Sequence, residues 1–284
     1  MKRLLVLATV LALAACSDKQ FRKDEDAWRA ERRASLTKPD GWLSLVGLFW
    51  LHPGANDVTL PAHPQPVVAH FDLANNAVTI APNAAVTIDG KPVTAPTPLR
   101  DDTADNGPTL MKSGTLTFTA IRRNDRFGIR VKDPESEARR NFKGLDYFAP
   151  NAKYRVEARF EPYNPPKKIP ITNVLGMTGD EISPGALVFT IDGQQFRIDP
   201  ILEQGTTDLF IIFKDATAGH ETYGAARYVY AHPPKDSVTT IDFNHAYNPP
   251  CAFTPYATCP LPPPQNRLPI RIEAGEKQYA GGHH

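Results

Sequence analysis

The chain is short of cysteine, of net charge and of long apolar runs, and each shortage excludes a class of protein. Three cysteines in 284 residues are too few for a disulfide-built fold. Lys and Arg number 32 against 31 Asp and Glu, a formal net charge of +1. No basic field exists to hold a nucleic acid, so no such partner is expected. The longest small-and-apolar run, Leu4 to Ala15, has twelve residues; a spanning helix needs about 20. Beyond Leu36 no long stretch keeps a helical period, which excludes bundles and coiled coils. The Gly-x-Ser-x-Gly elbow, the Walker loop, Gly-x-Gly-x-x-Gly after a strand and His-Glu-x-x-His are all missing, which counts against the common hydrolases.

What the chain has in excess is proline, 28 residues, about twice the usual share. Proline is excluded from helix interiors and central strands, so this many implies frequent turns and strand ends. Lys2 and Arg3 precede the Leu4–Ala15 run, as in a secretory signal. The run ends Leu13-Ala14-Ala15-Cys16, which resembles a bacterial lipobox. The resemblance implies a signal peptide over 1–15, a mature chain starting at Cys16, and acyl chains on that cysteine as a membrane anchor. Ser17, in place of Asp, leans the expected location towards the outer membrane, facing the periplasm, over the inner membrane. Cys251 and Cys259 then remain. Seven residues separate them, and an oxidising compartment favours a disulfide between them.

Residues 16–40 read as a lipid-anchored tether and one short helix. In Asp24–Leu36 the acids Asp24, Glu25 and Asp26 lead and Arg29, Arg32 and Arg33 follow, matching the helix dipole, with Pro39 and Gly41 as the stop. Trp28 is placed to dock this helix on the body. The rest reads as short strands rich in β-branched residues. Asp89-Gly90 and Asp192-Gly193 mark two hairpins. The expected fold is all-β with two β-domains: a sandwich over 41–148, then a sandwich or open barrel over 149–284, divided at Phe148–Lys153. From residues 41 to 132, the turn at His52-Pro53-Gly54, the strand Val67–Phe71 and the hairpin Ile88-Asp89-Gly90-Lys91 resemble a forkhead-associated sandwich. Where such domains place the Arg and Ser that hold phosphate, this chain has Ala55–Asp57 and Pro66–His70. The scaffold is therefore expected without phosphopeptide binding.

The unusual residues lie in the second half. Asp242-Phe243-Asn244-His245-Ala246-Tyr247-Asn248-Pro249-Pro250-Cys251-Ala252-Phe253, with the strings around Gly219-His220-Glu221 and Gly47-Leu48-Phe49-Trp50, resemble an uncharacterised bacterial family of unknown function. The resemblance runs roughly from Trp28 to Lys277 and implies no activity, substrate or cofactor. The loop Tyr247–Arg267 carries seven prolines, so little entropy is lost in ordering it. Three readings of it compete. It packs over an open end of the second domain. Or it frames a binding or catalytic site, with Asp242, His245 and Glu276 as acid–base candidates and Asp215, Glu221, Tyr223, Arg227, Asn244, Tyr247, Asn266, Arg267 and Glu273 as the lining. Or Cys251, Cys259, His245 and His220 hold a structural zinc. The leading expectation is binding of a small molecule, glycan or envelope protein at the second domain, without a cofactor. A hydrolytic enzyme in the same place is the competing class. A concave pocket with several convergent ionisable groups and a raised carboxyl pKa favours the enzyme; a flat aromatic patch of Tyr247, Phe253 and Tyr256 favours partner binding.

Overall fold

The structure, a computed structural model, describes residues 2–281, with side chains from Asp18 onward. The lipobox, Cys16 and Ser17 lie outside the described side chains, and the terminal His283 and His284 outside the described residues. The fold is all-β, with two β-domains preceded by a helix. Helix α1 spans Lys2–Leu36, so it is longer than the Asp24–Leu36 segment, and Ser17–Lys23 is helical, not a loose tether. The reason is local. No Gly or Pro interrupts the chain before Pro39, and Ala, Leu, Lys, Gln and Arg all favour helix. Among the described residues no helix is long and apolar enough to cross a membrane.

The first β region follows at once. Its strands are β1 Leu45–Trp50, β2 Gly54–Leu60, β3 Val67–Ala74, β4 Ala77–Ile80, β5 Asn83–Ile88, β6 Lys91–Val93, β7 Thr97–Leu99, β8 Met111–Ser113, β9 Leu116–Arg123 and β10 Arg126–Lys132. One sheet has the order β1-β10-β9-β8-β5-β6 and the other β2-β3-β4-β7. The apolar alternation on each strand faces the space between them. Phe71, Val78 and Ile80 from one sheet meet Phe118, Phe127, Ile129 and Val131 from the other. Asp89 and Gly90 both have positive φ, 52° and 77°, as a two-residue turn matched to strand twist requires.

A four-residue helix, α2 Glu137–Arg140, leads to the second region. This comprises β11 Arg155–Thr172, β12 Thr178–Ile191, β13 Gln194–Ile198, β14 Ile201–Leu202, β15 Leu209–Phe213, β16 Arg227–Ala231 and β17 Val238–Asp242. The sheets are β13-β12-β11-β17 and β14-β15-β16. Strand β11 runs well past Phe160, where the alternating pattern ends. Its pairing with β12 shifts register between Pro162 and Lys167. That irregularity accommodates Pro165 and Pro166, which have no N–H to give the ladder. Every residue of β15 is buried. Leu209, Ile211 and Phe213 face the core shared with β11, β12 and β17. Phe210 and Ile212 face a second cluster that includes Ala257 and Cys259. The proline loop therefore covers the outer face of β15 and β16 instead of an open end of the domain.

Candidate functional site

The site begins with the docking of α1. Its contact stripe is Glu25, Trp28, Arg29, Arg32 and Leu36, the three- and four-residue spacing of one helix face. The stripe is mostly polar. Arg32 Nε donates to Glu276 Oε1 at 2.7 Å, and Arg32 Nη2 to the Asn248 carbonyl at 2.9 Å. Arg29 donates to the Phe148 carbonyl and sits 4.4 Å from the Tyr147 ring centre. Glu25 is 1% exposed and its Oε1 lies 3.1 Å from His245 Nε2. Trp28 stacks on the His245 ring, with centroids 4.6 Å apart and planes 6° from parallel.

Beside this stripe lies a cavity of about 580 Å³, within the range typical of small-molecule sites. Helix α1 contributes Trp28, Glu31, Arg32 and Ser35. The second region contributes Glu203, Phe210, Tyr228, Tyr230 and Tyr247. The proline loop adds Pro250 and Ala257–Pro260, and the first region adds Trp42, Arg123 and Arg130. The aromatic wall is ordered by its own packing: Phe210 meets Tyr228 edge-on at 4.9 Å and stacks on Tyr230 at 5.0 Å. Burial pushes the phenols of Tyr228, Tyr230 and Tyr247 upward, so they stay neutral at physiological pH.

The charges at the cavity are unequally satisfied. Arg32 pairs with Glu276. Arg123 pairs with Asp102 at 2.9 Å and donates to Thr258 Oγ1 at 3.1 Å. Tyr230 donates to Glu203 at 2.5 Å. Arg130 makes no ion pair among the described residues, and its buried Nε has no hydrogen-bond partner. Burial, and then the neighbouring Arg123, lower its pKa to about 10. It still carries its charge at neutral pH, half-hidden beside the Trp42 ring at 5.5 Å.

The residues singled out in the sequence do not form one mouth. Asp242 and His245 do come together, joined by Glu25. Glu276 is fully buried between Arg32 and the Asn248 N–H and holds α1 in place. Asp215 and Arg227 form a buried ion pair at 3.0 Å. Asp215 also accepts from Thr217 and from the Ile272 N–H, while Arg227 donates to the Ile272 and Ala274 carbonyls. Asn266 ties the Asp199 backbone to the Ile212 carbonyl. Asn244 exchanges two hydrogen bonds with the Asn151 backbone. These are internal fasteners. Glu221 and Glu273 share Arg271 at the surface, and Arg267 is exposed. Tyr223 donates to the Cys251 carbonyl, and only Tyr247 of the set lines the cavity.

Two further expectations are corrected. The Cys251–Cys259 disulfide is not formed: both are free thiols, with the Cys251 N–H 3.0 Å from Cys259 Sγ. The zinc set of Cys251, Cys259, His245 and His220 does not assemble, because His245 faces Glu25 and Asp242 instead. The aromatic patch is broken up as well. Phe253 is buried with Leu36 and Leu43, Tyr247 faces the cavity, and Tyr256 is exposed. Sequence reasoning missed Trp42, Arg123 and Arg130. The available signal was that Arg130 points away from a core filled by Phe127, Ile129 and Val131, on a sheet face that reads as solvent.

A family model described as protein of unknown function (DUF1684) matches residues 140–277. The match starts beyond β10, so it is shorter than the Trp28–Lys277 span the sequence strings implied. An uncharacterised protein of Haloarcula marismortui, solved by solution NMR, is 33% identical, with 49% of this chain and 78% of that one covered and a TM-score of 0.42. No curated protein matches the chain. Residues 140–277 take in the second β region and the proline loop, and by that family match the chain belongs to the DUF1684 family of proteins of unknown function.

Proposed function

We propose that the protein is a lipid-anchored envelope protein that binds a small anionic molecule with a planar apolar body. The ligand lies in the cavity between α1, the proline loop and the β9–β10 face of the first region. The observation that carries this reading is Arg130, a half-buried cation whose buried Nε has no partner, in the same cavity wall as Phe210, Tyr228, Tyr230 and Tyr247. A buried N–H left without an acceptor is costly. A carboxylate or phosphate from a ligand satisfies it, and the rings supply the apolar contact. Cys16 supplies the anchor. The first region, residues 41–148, is scaffold that lends Arg123 and Arg130 to a site carried by residues 149–284.

The test is native mass spectrometry of the full chain purified from its own envelope. The expected result is a co-purifying small anion, lost in Arg130→Met. A bare mass for both proteins contradicts the reading. Cys16→Ser is expected to move the protein from the membrane fraction to the soluble fraction; an unchanged distribution refutes the anchor.

A further inference from the structure

We propose that Glu25, Asp242 and His245 bind one divalent first-row transition cation, Zn²⁺ by preference, which clamps α1 to the end of β17. One donor atom from each residue lies within 4.8 Å of the other two. Proximity of acids is not the whole case. Glu25 is 1% exposed, and its Oε2 has no hydrogen-bond partner. A buried carboxylate oxygen left without a donor is a group waiting for a cation.

The second observation is the geometry between Glu25 and His245. Oε1 and Nε2 are 3.1 Å apart, yet Nε2 makes no hydrogen bond. An ordinary ion pair at that distance aligns the ring N–H on the oxygen. Two donors that share a metal do not point at each other; they converge on a third point. Bonds of about 2.0–2.2 Å to a common ion separate neighbouring ligands by roughly 3–3.5 Å, and the pair fits that spacing.

The surroundings hold the donors as a metal site needs. Asp242 Oδ1 accepts from the Asn244 N–H at 3.0 Å and its side-chain amide at 2.9 Å, which fixes the carboxylate plane. The Trp28 ring, parallel to His245, fixes the imidazole. Two carboxylates and a neutral imidazole balance a dication, and one nitrogen with two oxygens suits a borderline ion. His245 is one-third exposed, so a fourth position is open to water. Arg155, 3.7 Å from Asp242 Oδ2, is the competing cation, and its side chain is half-exposed and free to swing away. The inference is independent of the cavity ligand, because none of the three donors lines the cavity.

The test uses the full chain stripped with a chelator and titrated with Zn²⁺ by calorimetry, with metal content by elemental mass spectrometry. One ion per chain is expected, with affinity at least tenfold weaker in both Glu25→Gln and His245→Gln. Cys251→Ser with Cys259→Ser is expected to bind as the unmodified chain does. Co²⁺ is expected to quench tryptophan emission, and Trp28→Phe to remove that quenching. Circular dichroism of the metal-free proteins shows that each variant is folded. No saturable binding to the unmodified chain overturns the proposal. So does binding that survives both Glu25→Gln and His245→Gln, or binding lost with the cysteines.

Discussion

The two β regions reach stability by different means. Between Leu45 and Lys132 the buried side chains are apolar except for Asn56, Thr109 and Ser113, and none is charged. Between Tyr154 and Lys277 the interior holds Asp199, Asp215, Arg227 and Glu276, with Asn244, Asn248 and Asn266. The first region is a sandwich closed by its own strands. The second has a proline loop in place of further strands, and irregular backbone has carbonyls and N–H groups that no ladder satisfies. Buried charges and amides do that work: Arg227 for Ile272 and Ala274, Asn266 for Asp199 and Ile212, Glu276 for Asn248. A region held this way presents a rigid irregular surface, and the cavity lies against it.

The contrast is sharpest under truncation. Phe118→Ala, in the sandwich core, is expected to cost about 3–5 kcal/mol through lost contacts and the space left behind. Asp215→Ala is expected to cost a similar amount, about 3–5 kcal/mol, because it leaves Arg227 buried and unpaired. The two losses differ in kind. Replacing Asp215 and Arg227 together by apolar residues of similar size removes the unpaired charge but leaves the Ile272 N–H and the Ile272 and Ala274 carbonyls without partners, so it recovers little of the loss. Denaturant unfolding of the single and paired variants checks this; a paired variant as stable as the unmodified chain breaks the comparison.

Glu276→Gln should have a smaller effect, about 2 kcal/mol. The amide still accepts from Asn248, and Arg32 loses its counter-charge. Because Arg32 sits on α1, the loss should appear first as faster amide exchange in Glu25–Leu36, with the sandwich unaffected. Uniform exchange across both regions argues against α1 as a separately docked element.

The smallest effect concerns the thiols. Donation from the Cys259 thiol lowers the pKa of Cys251, while burial pushes Cys259 up. Under reducing conditions near pH 8, iodoacetamide is therefore expected to label Cys251 first. Peptide mapping showing equal labelling contradicts this picture of the loop.

Much of the fold was legible because its causes are local. Asp89-Gly90 and Asp192-Gly193 turn as their chemistry dictates, α1 ends at Leu36 before Pro39, and the alternation in Leu116–Ala120 marks the buried face of β9. The continuation of β11 past Pro165 was hidden, because the register shift that tolerates proline depends on β12. The site was hidden for the same reason on a larger scale. Asp242 and His245 are neighbours in sequence, but Glu25 arrives only when α1 docks. Arg123 and Arg130 look like charges on a solvent face until the second region covers that face. Conversely, Asp215, Arg227 and Asn266 looked functional because buried polar residues resemble site residues in a sequence. Their hydrogen bonds show them holding backbone.

The central claim is that the cavity takes an apolar ring and uses Arg130 to hold an anion. Calorimetric titration of the full chain with 2-naphthoate and with 2-naphthamide, which share the ring and differ in charge, tests it directly. The account predicts that the acid binds at least tenfold more tightly than the amide, and that Arg130→Met abolishes this preference while leaving the melting temperature unchanged or higher. Equal affinity for the two compounds, or a preference that survives Arg130→Met, contradicts it.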